Sequence, residues 1–250
     1  MLAIPSSAPG ASYPDRGQMD AVRNFVEQRT GVVGVGVVDD RGRVRGGVHS
    51  RRRFRTASVI KAMLLVRYLR SVNHQGRALT SYERSQLGPM IRVSSNDAAT
   101  WVHSQLGDDA LRRLARRADM DQFTICCNQW GAARFSARDQ AKFFWRLERL
   151  TPSRFRDYAT KLLRSIVKSQ SWGIPKVARA RGFSVFFKGG WGTTALGQLV
   201  HQAAFIRYRG TGFSLAVLTD GNPSLSYGVG TIAGVTRRIT RVKPEPSAAH

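Results

Sequence analysis

Ser58 and Lys61 stand three residues apart in "TASVIKA", at the head of a long apolar run. The lysine stands out because the chain otherwise takes arginine for its cations: of 40 basic residues, 33 are Arg and 7 are Lys. An arginine never gives up its proton in a protein, whereas a desolvated lysine can, and a general base must. A serine hydroxyl is a weak nucleophile until a base in contact takes its proton. Positions i and i+3 share one face of a helix, so this spacing can supply nucleophile and base together. It equally suits a Ser or Thr cap beside a lysine whose amine reaches out to water.

Two further stretches carry polar side chains at telling places. In "VSSNDAA", residues 93–99, Ser94 and Asn96 flank one residue on a loop that leads into a helix. In "FFKGGW", residues 186–191, Lys188 ends a strand and is followed by Gly189 and Gly190. Alone, the first is an N-cap and the second a strand end with a turn. Together with Ser58 and Lys61 they fall at a helix start, an interhelical loop and a strand end, in one chain order, and that coincidence points to a shared site.

The elements that must position these residues follow from periodicity. An amphipathic helix is predicted over 17–29, then a hairpin in "GVVGVGVVDDRGRVRGGVH" around an Asp-Arg-Gly turn. Residues 56–174 carry helical patterns with no convincing strand, and a helix over 56–72 is apolar nearly all round, the mark of burial between layers. Strands return in "FSVFFK", "LVHQAAFIRYR" and "FSLAVLTD", and a helix over about 225–242 closes the order. A two-stranded hairpin is not stable alone, so the first and last segments must share a sheet. The expected fold class is α/β of the α+β type: an antiparallel sheet of about five strands flanked by helices, beside an all-helical lobe, with a cleft between. The sheet lobe is assigned to 15–55 and 175–242 and the helical lobe to 56–174, with mobile tails at 1–14 and 243–250.

Composition narrows the classes. With 250 residues, 42% of them hydrophobic, the chain can bury a large core. Its 40 basic and 16 acidic residues give a net charge of +24, which attracts anionic polymers over the whole surface unless it reflects nothing more than arginine-rich codon usage. The arginines are scattered and no zinc spacing or RNA-binding aromatic signature is present, which argues against specific nucleic-acid reading. No stretch is long and apolar enough to span a bilayer. The five histidines show no ligand spacing, Gly34 and Gly36 form no dinucleotide site, and Cys126 and Cys127 read as adjacent buried thiols, so neither metal nor organic cofactor is expected. The opening "MLAIPSSAPGASYP" looks like the small-residue end of an export signal, so an exported or wall-associated protein is expected, and a monomer.

The Ser58-x-x-Lys61, Ser94-x-Asn96 and Lys188-Gly-Gly set resembles the Ser-x-x-Lys, Ser-x-Asn, Lys-Thr-Gly set of class A β-lactamases and penicillin-recognising D,D-peptidases, and so does the element order over roughly 17–242. The "WG" at 130, "SARDQA" at 136–141, "KGGW" and "VLTDGNPSLSYGVGTI" look closer still to actinobacterial β-lactamase-like serine hydrolases. The resemblance implies a β-lactamase/transpeptidase-like fold and an acyl-enzyme on Ser58. Lys61 would be the base, and Ser94 the relay of the proton to the leaving nitrogen. Asn96, Lys188, Gly189 and Gly190 would form the substrate-binding edge, with Lys188 on a substrate carboxylate. The backbone N–H groups of Ser58 and Trp191 would form an oxyanion hole, worth roughly 3 kcal/mol per donor. The implied partner is a β-lactam or peptidoglycan-like small substrate, with an anionic cell-wall polymer as a second ligand.

Departures from the family pattern set further expectations. Ser95 replaces an Asp, Gly189 replaces a Thr or Ser, and the interval from Ser58 to Ser94 is short. The family's deacylating loop glutamate is missing: only Glu148 lies between the second and third motifs, inside a helix, while Asp119, Asp121 and Asn128 lie outside the motif context. Slow deacylation is therefore expected. The alternative is a catalytically weak binding protein that keeps the cleft to hold an anionic wall ligand.

Overall fold

The structure, a computed structural model, describes residues 12–242 and 244. Most of both expected tails therefore lies outside the described residues. Tyr13 does not: it is buried, packs edge-on against Phe213, and its hydroxyl meets the carbonyls of Ile239 and Val242 at 2.8 Å each. The N-terminal boundary of the folded body thus precedes residue 14.

Helix α1 (Arg16–Glu27) starts at a capping box in which Asp15 and Gln18 exchange side-chain and backbone hydrogen bonds. Strands β1 (Val32–Val38) and β2 (Val44–Arg45) form the hairpin, whose turn is held by Asp39 Oδ1 accepting from the N–H groups of Arg41 and Arg43. Next come β3 (Arg53–Arg55), a 3₁₀ turn (Ala57–Ile60) and the helices α2 (Lys61–His74), α3 (Ser81–Arg92), α4 (Asn96–Ser104) and α5 (Gly107–Arg117). A short strand β4 (Arg134–Ser136) leads into α6 (Ala137–Leu150), α7 (Arg156–Arg164) and α8 (Ile174–Arg179). The chain finishes with β5 (Ser184–Thr194), β6 (Gly197–Tyr208), β7 (Thr211–Asn222) and α9 (Leu225–Ile239).

The main sheet has five antiparallel strands in the order β2-β1-β7-β6-β5, so the first and last segments do share it. Directly opposed residues of an antiparallel sheet share a face. The pairings Gly36↔Ala216, Ala216↔Ala203 and Ala203↔Lys188 therefore draw one row across four strands, and Gly34, Leu218, His201 and Gly190 draw the next. This face meets α6 over β1 and β7, and the 3₁₀ turn over β5. The opposite face meets α9, where Gly228 packs on Val200, and α9 in turn carries α1 through Gly234 and Phe25.

Three sequence expectations are corrected. The stretch 56–174 is not wholly a helical lobe, because α6 lies on the sheet: Ser214 Oγ donates to Ala141 O at 2.6 Å, and a side chain at Gly36 would collide with Ala137 O. The same stretch does contain a strand, since β4 pairs with β3 through Arg53↔Ser136, Phe54↔Phe135 and Arg55↔Arg134. Three residues are too few to show period two, and burial of Phe54 and Phe135 holds the pair in place. Cys126 and Cys127 are free but exposed, on a loop where Cys127 and Asn128 take positive φ and turn their side chains out of the core.

The approach of α6 to β1 generates a stability prediction. Gly36→Ala puts a methyl against the backbone of Ala137 and Arg138, which cannot yield as a side-chain end can. Overpacking of this kind costs about 1–3 kcal/mol. Urea unfolding of the variant is expected to show that loss as a lower midpoint with an unchanged slope.

Candidate active site

The cleft side of the 3₁₀ turn holds Ser58. The apolar run begins as a 3₁₀ turn rather than as the α-helix expected from 56, and α2 proper starts at Lys61. In a 3₁₀ turn side chains at i and i+3 eclipse, so Ser58 lies directly in line with Lys61. Lys61 is fully buried, as are its chain neighbours Val59, Ile60, Ala62 and Met63, and burial pulls its amine down to about 8. Of the two readings left open for this lysine, the one with its amine in water is excluded.

The loop from α3 to α4 supplies the second group. Ser95 caps α4, its Oγ accepting from Ala98 N at 3.2 Å, which leaves Ser94 at φ +64° and Asn96 as the first helical residue. The left-handed backbone of Ser94 turns both its carbonyl and its hydroxyl inward. Lys61 Nζ meets Ser94 O at 2.6 Å, Asn96 Oδ1 at 2.7 Å and Ser94 Oγ at 3.3 Å. None of these three bonds goes to Ser58 Oγ. The Ser94-x-Asn96 motif is therefore both a helix cap, through Ser95, and a clamp on the lysine.

Strand β5 supplies the third, and Lys188 lies within it rather than at a strand end as expected, because the pairing with β6 continues through Gly189 and Gly190 to Thr194. Lys188 lies on the sheet face that meets the 3₁₀ turn, fully buried, and its Nζ donates to Gly189 O at 2.7 Å and reaches Ser94 Oγ at 3.1 Å. Burial, with the neighbouring Lys61 charge added, lowers its amine to about 7. One hydroxyl thus lies between two amine nitrogens at 3.3 and 3.1 Å. Among the described residues neither lysine has a carboxylate within ion-pair distance. Two adjacent ammonium ions without a counter-charge in a dry site repel each other, so the pair sheds a proton near neutrality.

Gly190, two residues along the same face, passes directly under the 3₁₀ turn. A Cβ there would stand 2.6 Å from the Ser58 amide nitrogen and 2.9 Å from Ala57 Cβ. Only glycine allows the strand this close to the serine amide, and Trp191 follows immediately. Gly189 faces the other way: it pairs with Gln202, and a side chain there would project toward Gln202 Cγ. The structure thus gathers Ser58, Lys61, Ser94, Asn96, Lys188 and Gly190 at one place, with Gly189 and Trp191 on the adjoining strand edge.

Four contributors, Trp130, Trp172, Gln202 and His201, were not assigned a site role from the sequence. The Trp130 ring lies 5.2 Å from Lys61 Nζ and its indole N–H donates to Thr100 Oγ1 at 3.2 Å. Trp172 meets Trp191 edge-on at 6.0 Å, and Gln202 holds the Trp172 carbonyl at 2.8 Å and Ile174 N at 2.7 Å. His201, directly opposite Gly190, is buried and neutral, with its ring lowered to about 4 by burial. Its Nε2–H donates to Arg55 O and its Nδ1 accepts from Thr219 N–H, which ties β3 to the strands behind the cleft. The "WG" at 130 was visible as a motif, but the other contacts depend on hairpin register.

The acidic candidates for activating water are paired elsewhere. Asp119 and Asp121 both pair with Lys142 at 3.1 Å and Glu148 meets Arg207 at 3.3 Å, while Asn128, whose backbone N–H donates to Asp108, has an exposed side chain that carries no acid group. No group of three or more His, Cys, Asp or Glu among the described residues is placed to hold a metal ion. No helix among them is long and apolar enough to cross a membrane.

Comparison with known proteins agrees with this geometry. A family model described as the β-lactamase enzyme family matches residues 80–242, which include Ser94, Asn96 and Lys188 but not Ser58 or Lys61. The fold is similar to that of a class A β-lactamase from Mycobacterium abscessus, with TM-score 0.74 at 20% identity over 90% of this chain and 98% of that one. A β-lactamase from Sphaerobacter thermophilus gives TM-score 0.74 at 20% identity over 91% and 98% of the two chains. An ancestral class A β-lactamase gives 0.73 at 18% over 90% and 99%. A search of curated protein sequences found no match. The family match spans well over half of the chain and the fold accounts for the rest: the chain belongs to the β-lactamase enzyme family and is a serine hydrolase of the acyl-transfer type.

Proposed function

We propose that Ser58 is acylated by a β-lactam or by an amide or ester of cell-wall peptide type, and that the acyl-enzyme is released slowly. The observation that carries this reading is the Ser94 hydroxyl suspended between two buried amines whose protons are loosely held. Lys61, unprotonated, takes the Ser58 proton as Oγ attacks the carbonyl carbon. The oxyanion forms beside the Ser58 and Trp191 amides. When the C–N bond breaks, the proton passes from Lys61 through Ser94 to the departing nitrogen; in the free site Lys188 is the more acidic of the two amines, and a substrate carboxylate beside it would draw the pair's remaining proton onto Lys188 and leave Lys61 neutral. The substrate class and the +24 charge support a site of action outside the cytoplasm, at or near the wall.

Release needs a base that directs water at the ester carbonyl. The flank of Lys61 carries the Trp130 ring instead of a carboxylate, and every candidate acid is engaged elsewhere. General-base assistance is worth about 10²–10⁴-fold, which sets the scale of the expected lag.

Four outcomes are expected. Lys61→Arg keeps the charge but removes the base, so labelling by a fluorescent penicillin should fall at least about 10²-fold, as in Ser58→Ala. An arginine variant that labels at the parent rate disproves the base role, and saturable non-covalent wall binding that survives Ser58→Ala would favour a binding protein. Acylation should accelerate with rising pH through an apparent pKa between 7 and 8, since the reactive state is the one that has lost a proton from the lysine pair. A β-lactam should give a burst followed by slow turnover, with the adduct visible as a mass shift on Ser58. Trp130→Glu should shorten the adduct's lifetime by placing a carboxylate beside Lys61. Rapid steady turnover without detectable adduct would sink the slow-release reading.

A further inference from the structure

Far from Ser58, α2 and α5 together build a second site of a different kind. Arg67 and Arg70 project from α2 at spacing i and i+3, and Arg113 and Arg117 from α5 at i and i+4. All four line one cleft of about 450 Å³ with Asn73 and His74. Arg67 and Arg70 lie about 9 and 14 Å beyond Lys61 along the helix axis, well away from the catalytic cleft.

This cluster has no structural explanation in ion pairing. Among the described residues none of the four meets a carboxylate, and the one hydrogen bond from their side chains runs from Arg70 Nη1 to Leu150 O at 2.8 Å. Their neighbours differ. Arg112 on α5 is paired with Asp108 and Asp109, and Arg146 with Asp119. Like charges at i and i+4, as at Arg113 and Arg117, destabilise a helix, and here that pair shares its cleft with Arg67 and Arg70. Partial burial and repulsion from Arg113, Arg70 and Arg117 lower the Arg67 guanidinium below its ordinary value. A fold that leaves four cations converging on one cleft is arranged for an anion.

We propose that the α2–α5 cleft binds a ligand carrying two or more phosphate groups in a chain. Guanidinium forks match phosphate oxygens two at a time, and a phosphate brings more charge per group than a carboxylate, so two or three phosphates neutralise the cluster. The volume falls within the range of small-molecule sites. The lining holds no Phe, Tyr or Trp, and the lone imidazole of His74 offers no platform for successive bases, which separates this site from one for single-stranded nucleic acid. The site is independent of the catalytic reading: it would place the enzyme on a phosphate-bearing polymer or hold free polyphosphate.

The test is calorimetric titration of the full chain with inorganic tripolyphosphate. One site per chain is expected, weakened at least tenfold in Arg113→Gln/Arg117→Gln. The exposed pair Arg16→Gln/Arg23→Gln on α1 removes the same charge and should leave the affinity unchanged. Thermal unfolding without ligand verifies that both variants fold, and penicillin labelling of Ser58 should be equal in all three proteins. A glycerol-phosphate oligomer in a parallel arm identifies the source: tighter binding than tripolyphosphate, lost in the same variant, assigns the site to a phosphodiester polymer, and the reverse assigns it to free polyphosphate. Equal loss in the α1 control, or several weak sites, would show a diffuse surface field and overturn the proposal. So would equal binding of citrate, or tighter binding of an oligothymidylate.

Discussion

Two lysine amines share one serine hydroxyl in the dry interior, and the architecture around them follows from that arrangement. Each of the three groups comes from a different element: α2, the α3–α4 loop and β5. For the amines to converge, α2 must be buried by apolar side chains on nearly every side, Ser94 must adopt a left-handed backbone, and β5 must run close enough to the 3₁₀ turn that only glycine fits at 190. Desolvation is the physical agent throughout. It lowers both amines toward neutrality, and it strengthens every dipole that points at the serine.

Much of this was legible because the residues concerned break a local rule. A lysine in an apolar run, in a chain that otherwise chooses arginine, is conspicuous without any structure, and Ser94 and Asn96 fell on the expected interhelical loop; the first motif instead opens a 3₁₀ turn, and Lys188 lies inside a strand rather than at its end. The sheet was legible for the same reason: long runs such as "LVHQAAFIRYR" carry their own period. What could not be read depends on register and on distance between segments. β4 is too short to have a period, the placement of α6 over β1 depends on Gly36 meeting a helix a hundred residues later, and Gln202 matters only because it is paired with Gly189. The thiols of Cys126 and Cys127 were misplaced because adjacency in sequence carries no information about the turn that exposes them.

The charge of the chain is used unevenly. In the catalytic cleft, positive groups are lysines that can become neutral. On the α2–α5 surface they are arginines that cannot. The same helix α2 serves both ends, presenting a removable charge at its start and permanent ones two turns later. The scarce acids are spent on Lys142, Arg146, Arg112 and Arg207, where they tie loops and helices down, and none is left beside Lys61.

Burying two amines also ties folding to proton concentration. The unfolded chain holds a proton on each lysine up to a pKa near 10.5, whereas the folded chain releases them near 8 and 7. Between about pH 7 and 10 the unfolded state therefore binds more protons, and this pair makes the fold more secure as the medium becomes alkaline and less so as it acidifies. The burial proposed to ready Ser58 for attack is then a standing thermodynamic load near neutrality, carried by the large apolar core that surrounds α2.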